Sequence, residues 1–140
     1  MQILNEIISN TLKEAIIPPR SIDIIIPVPL HEEKLKKRGF NQSLLIADSI
    51  SKLTSIPISK NNLVKNKKTP PQIGLSKHQR IKNLKGSFAV TSLPEICEKS
   101  ILLVDDIMTT GATLDTCASE LKKVGVKEVY GLTLARTMLK

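Results

Sequence analysis

Aromatic side chains are nearly missing from this sequence. No tryptophan, one tyrosine and two phenylalanines stand among 140 residues. Phe40, Phe88 and Tyr130 are too few to form a platform on which single-stranded bases stack in succession. Cysteine is almost as scarce. Cys97 and Cys117 make neither a disulfide framework nor a four-ligand zinc site, so no zinc is expected in this chain. Long apolar runs are missing too. None approaches the ~18 residues of a membrane-spanning helix, and no membrane insertion is expected. Met1 is not followed by the pattern of a secretory leader, a basic segment and a short apolar stretch before a small-residue cleavage site. A reducing cytoplasm is the expected compartment.

What is present is apolar enough to fold. Hydrophobic residues make up 41% of the chain, too many for a disordered segment and enough for one core. The net charge is +8, and it is uneven. Residues 31–86 hold thirteen basic and three acidic side chains, a local excess of +10, while the remainder carries −2. Such a block suits a polyanion, nucleic acid or a polyphosphate. A merely solubilising lysine-rich surface explains the charge as well.

Residues 3–16 place Ile3, Leu4, Ile7, Ile8, Leu12 and Ile16 on one helical stripe, and Pro18-Pro19 stops that helix. Residues 1–20 therefore read as an N-terminal helix and linker, and residues 21–140 as the main domain. Ile22 to Val28 reads as a buried strand that ends near Pro27. A basic loop is expected from Pro29 to Phe40, then a helix capped by Asn41. Short strands are expected near Leu63-Val64 and at Phe88–Val90, and a short helix capped by Ser76. Ser100 to Val104 forms an apolar strand, followed by a loop, a helix over about Thr113–Val124 and a strand from Glu128 to Leu134. Alternating strands and helices imply an α/β domain, an open, mainly parallel sheet with helices on both faces.

In such a sheet, ligands bind beyond the carboxyl ends of the strands. Asp105 and Asp106 stand there. Adjacent carboxylates accept hydrogen bonds from neighbouring hydroxyls or support Mg²⁺ through its waters. Thr109-Thr110-Gly111-Ala112-Thr113 supplies hydroxyls and backbone N–H groups at a helix N-terminus, which suits a phosphate monoester. Gly111 lets the backbone close around the anion. Acceptors for a diol next to a phosphate cradle fit a ribose 5-phosphate. A P-loop reading fails because no G-x-x-x-x-G-K-[ST] occurs. An EF-hand fails because Ile107 and Thr109 occupy ligand positions. A purely structural turn remains the competing reading, at odds with the cost of burying adjacent carboxylates. Among lone residues, His31 reads equally as a phosphate contact or a structural histidine, His78 as exposed, and Cys117 as core packing.

Ile101-Leu102-Leu103-Val104-Asp105-Asp106-Ile107-Met108-Thr109-Thr110-Gly111-Ala112-Thr113 resembles the phosphoribosyl pyrophosphate (PRPP) motif of type I phosphoribosyltransferases. Pro27-Val28-Pro29-Leu30-His31, with Leu35 and Arg38-Gly39-Phe40-Asn41-Gln42, is similar to the signature of the ComF family of competence proteins. So are Thr69-Pro70-Pro71-Gln72, Gly74-Leu75-Ser76, Arg80, Asn83 and Gly86-Ser87-Phe88. The resemblance spans about Ile22 to Arg136.

By that resemblance, Asp105 and Asp106 hold the ribose hydroxyls, and Thr109, Thr110, Gly111, Ala112 and Thr113 hold the 5′-phosphate. Lys36, Lys37 and Arg38 supply charge to a pyrophosphate loop. Lys65 to Lys85 stands where these enzymes carry a mobile loop, from which Arg80 reaches the leaving group. Mg²⁺ accompanies PRPP without direct protein ligands. The family also implies a place in DNA uptake, with single-stranded DNA and other competence proteins as partners. Its members usually begin with a four-cysteine zinc ribbon, and those cysteines are not in this chain. Two function classes fit: a transferase that displaces pyrophosphate from ribose C1, and a non-catalytic DNA-binding or regulatory module. Few residues flank the domain, so recognition of an acceptor base is expected to be thin.

Overall fold

The central strands have no polar face, and that decides the architecture. The structure, a computed structural model, describes residues 2–14, 21–67, 69, 74–108 and 111–136. In chain order these form α1 (Gln2–Glu14), β1 (Ile24–Pro27), α2 (Glu32–Arg38), α3 (Gln42–Thr54), β2 (Leu63–Lys65) and α4 (Lys77–Leu84). Then come β3 (Phe88–Val90), α5 (Leu93–Ile96), β4 (Ser100–Met108), α6 (Ala112–Lys123) and β5 (Glu128–Arg136).

β1, β4 and β5 make one parallel sheet in the order β1-β4-β5. Successive side chains of a strand point to opposite faces. Ile25, Leu102 and Val104 pack on one side with Ile8, Ile46, Ala47 and Ile50 of α1 and α3. Ile26, Ile101 and Leu103 pack on the other with Leu84, Ile96, Cys117 and Leu121. Helices cover both faces, which is why the strands read as unbroken apolar runs. The expected parallel pairing of the three strands, with a helix crossing between the last two, is observed. The outer edge of β1 is paired as well. Ile25 N donates to Pro57 O, and Ser59 N to Ile25 O, each at 2.9 Å. β2 and β3 form a separate antiparallel pair.

Two expectations are corrected. The basic stretch from Pro29 to Phe40 is not a loop throughout, because α2 occupies Glu32–Arg38. His31 caps it, Glu32 and Glu33 stand in its first turn, and Lys36, Lys37 and Arg38 in its last. That charge order suits the helix dipole. Gly39 ends it with φ +86°, a conformation that favours glycine. The strand of the Asp-Asp pair does not stop at Val104. β4 runs to Met108, held in register by β5 through Met108↔Arg136.

The remaining helices follow their caps. Asn41 Oδ1 accepts from Ser43 N at 3.0 Å. Ser76 and Gln79 form a reciprocal capping box on α4. On α1, Ile8 is fully buried while Ile3 and Ile7 are exposed. Pro18-Pro19 and Ile16 lie outside the described residues. Leu121 lies at the centre of one core and is 0% exposed. Leu121→Ala is expected to lower stability by about 2–5 kcal/mol in urea unfolding. A change under about 1 kcal/mol shows that α6 is not packed as described.

Candidate functional site

A cavity of about 610 Å³ lies beyond the carboxyl end of β1 and beside Asp105 and Asp106 in the second half of β4. The chain after β1 forms one wall with Val28, Pro29, Leu30 and His31. Asp105 and Asp106 enter from β4, Thr113 from the first turn of α6, and Glu33, Lys34, Lys37 and Arg38 from α2, three cations to one carboxylate. Lys65 and Thr69 line it from the end of β2 and the segment beyond. A backbone bridge between His31 and Lys65 holds these two walls together.

Helical phase sorts the basic side chains. Residues three and four apart share a helix face. Lys34, Lys37 and Arg38 fall together and line the cavity. Lys36 points elsewhere and pairs with Glu32 at 3.1 Å. Lys65 lies deeper. Its Nζ donates to Thr69 Oγ1 at 2.9 Å and sits 5.6 Å from the centre of the Phe88 ring. Burial first, then the charge of Lys34, holds its pKa below the ordinary lysine value.

Asp105 Oδ1 accepts from Ser43 Oγ at 3.0 Å and from Asp106 N at 2.9 Å. Asp106 Oδ1 accepts from Ile107 N at 2.9 Å. Burial, reinforced by the neighbouring Asp106 side chain, pushes Asp105 from 3.8 up to about 6. The folded state therefore favours the protonated acid, and its stabilising effect is lost as pH rises from about 4 through about 6. Wild-type stability should decline over that interval. Asp105→Asn should remove the decline and raise stability at neutral pH by about 1–3 kcal/mol. Urea unfolding across the interval measures this, and an identical slope in the variant refutes it.

Gly111 precedes α6 with φ +80°. Ala112 is buried and Thr113 faces the cavity. Thr109 and Thr110 lie outside the described residues. Arg80 does not join the cavity lining. It is 8% exposed, and its Nε donates to Leu75 O at 3.1 Å. His78 is exposed and Cys117 is buried. Sequence reading overlooked Lys34 and Ser43. The i, i+3, i+4 spacing of Lys34, Lys37 and Arg38 marks Lys34 once the segment is known to be helical. No local signal marks Ser43.

Among the described residues, no group of three or more His, Cys, Asp or Glu side chains is placed to hold a metal. Two neighbouring carboxylates beside a basic cavity do fit Mg²⁺, which keeps several waters and takes other ligands from phosphates.

Residues 41–138 match the phosphoribosyl transferase domain. The chain belongs to that family. This phosphoribosyl transferase domain is 41% identical over 116 residues to competence protein F of Haemophilus influenzae, covering 81% of this chain and 50% of that protein. It is 33% identical to DNA utilization protein YhgH of Escherichia coli strain K12, covering 83% of this chain and 50% of that protein. It is also 33% identical to competence protein ComFC of Bacillus subtilis, covering 81% and 45%. The domain spans about half the length of the curated relatives it matches.

Among solved structures, the glutamine PRPP amidotransferase of B. subtilis superposes with a TM-score of 0.62 at 19% identity, covering 94% of this chain and 26% of that one. A purine phosphoribosyltransferase of Pyrococcus horikoshii gives 0.56 at 21% identity, covering 96% and 71%. These two show the fold alone, and it is the expected one. The relatives agree with the resemblance read from the motifs. Among the described residues, no helix is long and apolar enough to cross a membrane.

Proposed function

We propose that this domain binds PRPP together with Mg²⁺ and acts in the handling of DNA. The observation that carries the first part is one cavity in which Asp105 and Asp106 meet the basic face of α2 and Lys65. Its volume suits a small phosphorylated ligand. Asp105 and Asp106 accept hydrogen bonds from the ribose hydroxyls. The start of α6, from Gly111 through Ala112 to Thr113, receives the 5′-phosphate, and the motif resemblance assigns Thr109 and Thr110 to the same group. Lys34, Lys37, Arg38 and Lys65 attract the pyrophosphate. Lys36, exposed and paired with Glu32, adds only to the field at the rim. Arg80, turned into the fold, takes no part in this reading.

The same groups suit phosphoribosyl transfer. The bond from ribose C1 to the pyrophosphate oxygen breaks, an acceptor nucleophile bonds to C1, and pyrophosphate departs with the electron pair. Basic side chains fixed beside the departing oxygens stabilise the charge that develops there. Mg²⁺, when bound, offsets the same charge. The domain contributes by positioning and electrostatics. Calorimetric titration with PRPP, with and without Mg²⁺, tests the reading, followed by pyrophosphate release over a panel of bases and amines. Mg²⁺-dependent binding is expected. No binding in either condition overturns it.

A second reading, single-stranded DNA across the same basic face, has its own support. α2 buries none of its residues, and Lys34, Lys36, Lys37 and Arg38 all project from it. Lys65 lines the same cavity, Lys67 is exposed two residues further on, and Lys68 lies outside the described residues. The similar proteins named for competence and DNA utilization favour this direction.

A further inference from the structure

Ser43 belongs to none of the motifs that point to the site, yet its hydroxyl reaches the central carboxylate. Its Oγ donates to Asp105 Oδ1 at 3.0 Å across 62 positions of sequence. The side chain is only 4% exposed. A buried hydroxyl costs stability unless it is bonded, and this one spends its proton on Asp105.

Helix formation does not explain a serine here. Asn41 already caps α3 through Ser43 N, so the Ser43 hydroxyl is not needed as the cap. The seat itself is rigid. Asn41 Nδ2 donates to Val28 O at 3.0 Å, tying the start of α3 to the chain leaving β1. Ser43 then ties the same turn to β4. Asp105 Oδ1 takes both the Ser43 bond and the Asp106 N–H bond, and neither falls on Oδ2. A carboxylate is planar, so fixing Oδ1 also fixes the direction of Oδ2.

We propose that Ser43 is a positioning residue, whose hydroxyl locks the Asp105 carboxylate with Oδ2 presented to the ribose hydroxyls. This rests on the ribose-binding reading of Asp105. Ser43 itself stands back from the cavity lining. Its effect is transmitted through Asp105, as outer hydrogen-bond partners orient the groups that touch a ligand.

The test uses the full chain and separates ligand parts. Ser43→Ala is expected to weaken PRPP binding roughly tenfold and to leave inorganic pyrophosphate binding unchanged. On an Asp105→Asn background, Ser43→Ala should cause no further loss, because Ser43 still holds the Oδ1 side but the Oδ2 acceptor it presents to the ribose has become an amide NH2. Ser43→Cys, close in volume and a weak donor, should lose affinity in the same direction. In ligand-free protein, the Asp106 amide resonance should shift and exchange faster in Ser43→Ala, since its acceptor is released. Full PRPP affinity in Ser43→Ala, an equal loss for pyrophosphate, or additive losses in the double variant overturns the proposal. If wild-type protein binds no PRPP, the ribose reading fails, and the Asp106 amide decides the lock by itself. An amide unmoved by Ser43→Ala overturns it.

Discussion

Replacing Asp105 and Asp106 together with asparagine should abolish PRPP binding and leave the fold standing. In the proposed PRPP complex each carboxylate offers a charged acceptor to a ribose hydroxyl, and hydrogen bonds to charged groups contribute about 1.5–3 kcal/mol each. Losing two weakens binding by about 10²–10⁴-fold, beyond the reach of an ordinary titration. Stability should hold because neither side chain belongs to the apolar core. An asparagine oxygen at position 105 still accepts from Ser43 Oγ and Asp106 N. It also avoids burying a charge, whose cost shows in the elevated Asp105 pKa of about 6. The same elevation sets a pH signature. Wild-type affinity should fall as pH drops through about 6, because a protonated Asp105 loses the charge that strengthens its bond to the ribose. Calorimetry across that range, with circular dichroism to confirm folding, measures both effects. Unchanged affinity in the double variant refutes the ribose-binding role.

The parts of this fold that were legible are those governed by local pattern. The apolar runs at Ile24–Ile26 and Leu102–Val104 have no polar face and therefore announce a sheet covered on both sides. Asn41 and Ser76 announce their helices through side-chain oxygens that accept first-turn N–H groups. α2 was legible in principle. Glu32-Glu33, then Lys36-Lys37-Arg38, then Gly39, is a dipole-matched helix with a glycine stop, where a basic loop from Pro29 to Phe40 is expected instead. As a loop the segment presented Lys36, Lys37 and Arg38 as equals. As a helix it faces Lys34, Lys37 and Arg38 to the open cavity and leaves Lys36 with Glu32. Arg80 lies in a motif, but whether an arginine reaches outward or packs inward is a tertiary matter. Here it is bound to Leu75 O. The Ser43–Asp105 contact was illegible for a similar reason. Its partners are 62 positions apart, and only the stacking of α3 against β4 brings them together.

Single-stranded DNA binding, if it uses the same basic face, should collapse with salt and compete with PRPP. The charge excess of +10 is confined to residues 31–86, and the chain has only Phe40, Phe88 and Tyr130 for stacking. Affinity must then come from phosphate contacts. Each phosphate neutralised on a single strand contributes about −0.7 to the slope of log affinity against log salt. Six contacts, from Lys36, Lys37, Arg38, Lys65, Lys67 and Lys68, give a slope near −4. Affinity then falls about 300-fold between about 50 and 200 mM salt. Sequence should matter little, because phosphates carry no base identity. Changing all six residues to glutamine should remove most of the binding and flatten the slope. PRPP should displace DNA because Lys37, Arg38 and Lys65 line the cavity proposed to hold it. Fluorescence anisotropy with a labelled oligonucleotide, at stepped salt and with or without PRPP and Mg²⁺, reads all three effects. A flat salt response, or binding untouched in the sixfold variant, makes the charge a solubilising surface. Salt-sensitive binding that PRPP does not displace assigns DNA to the rim of α2 at Lys36 and keeps it out of the cavity.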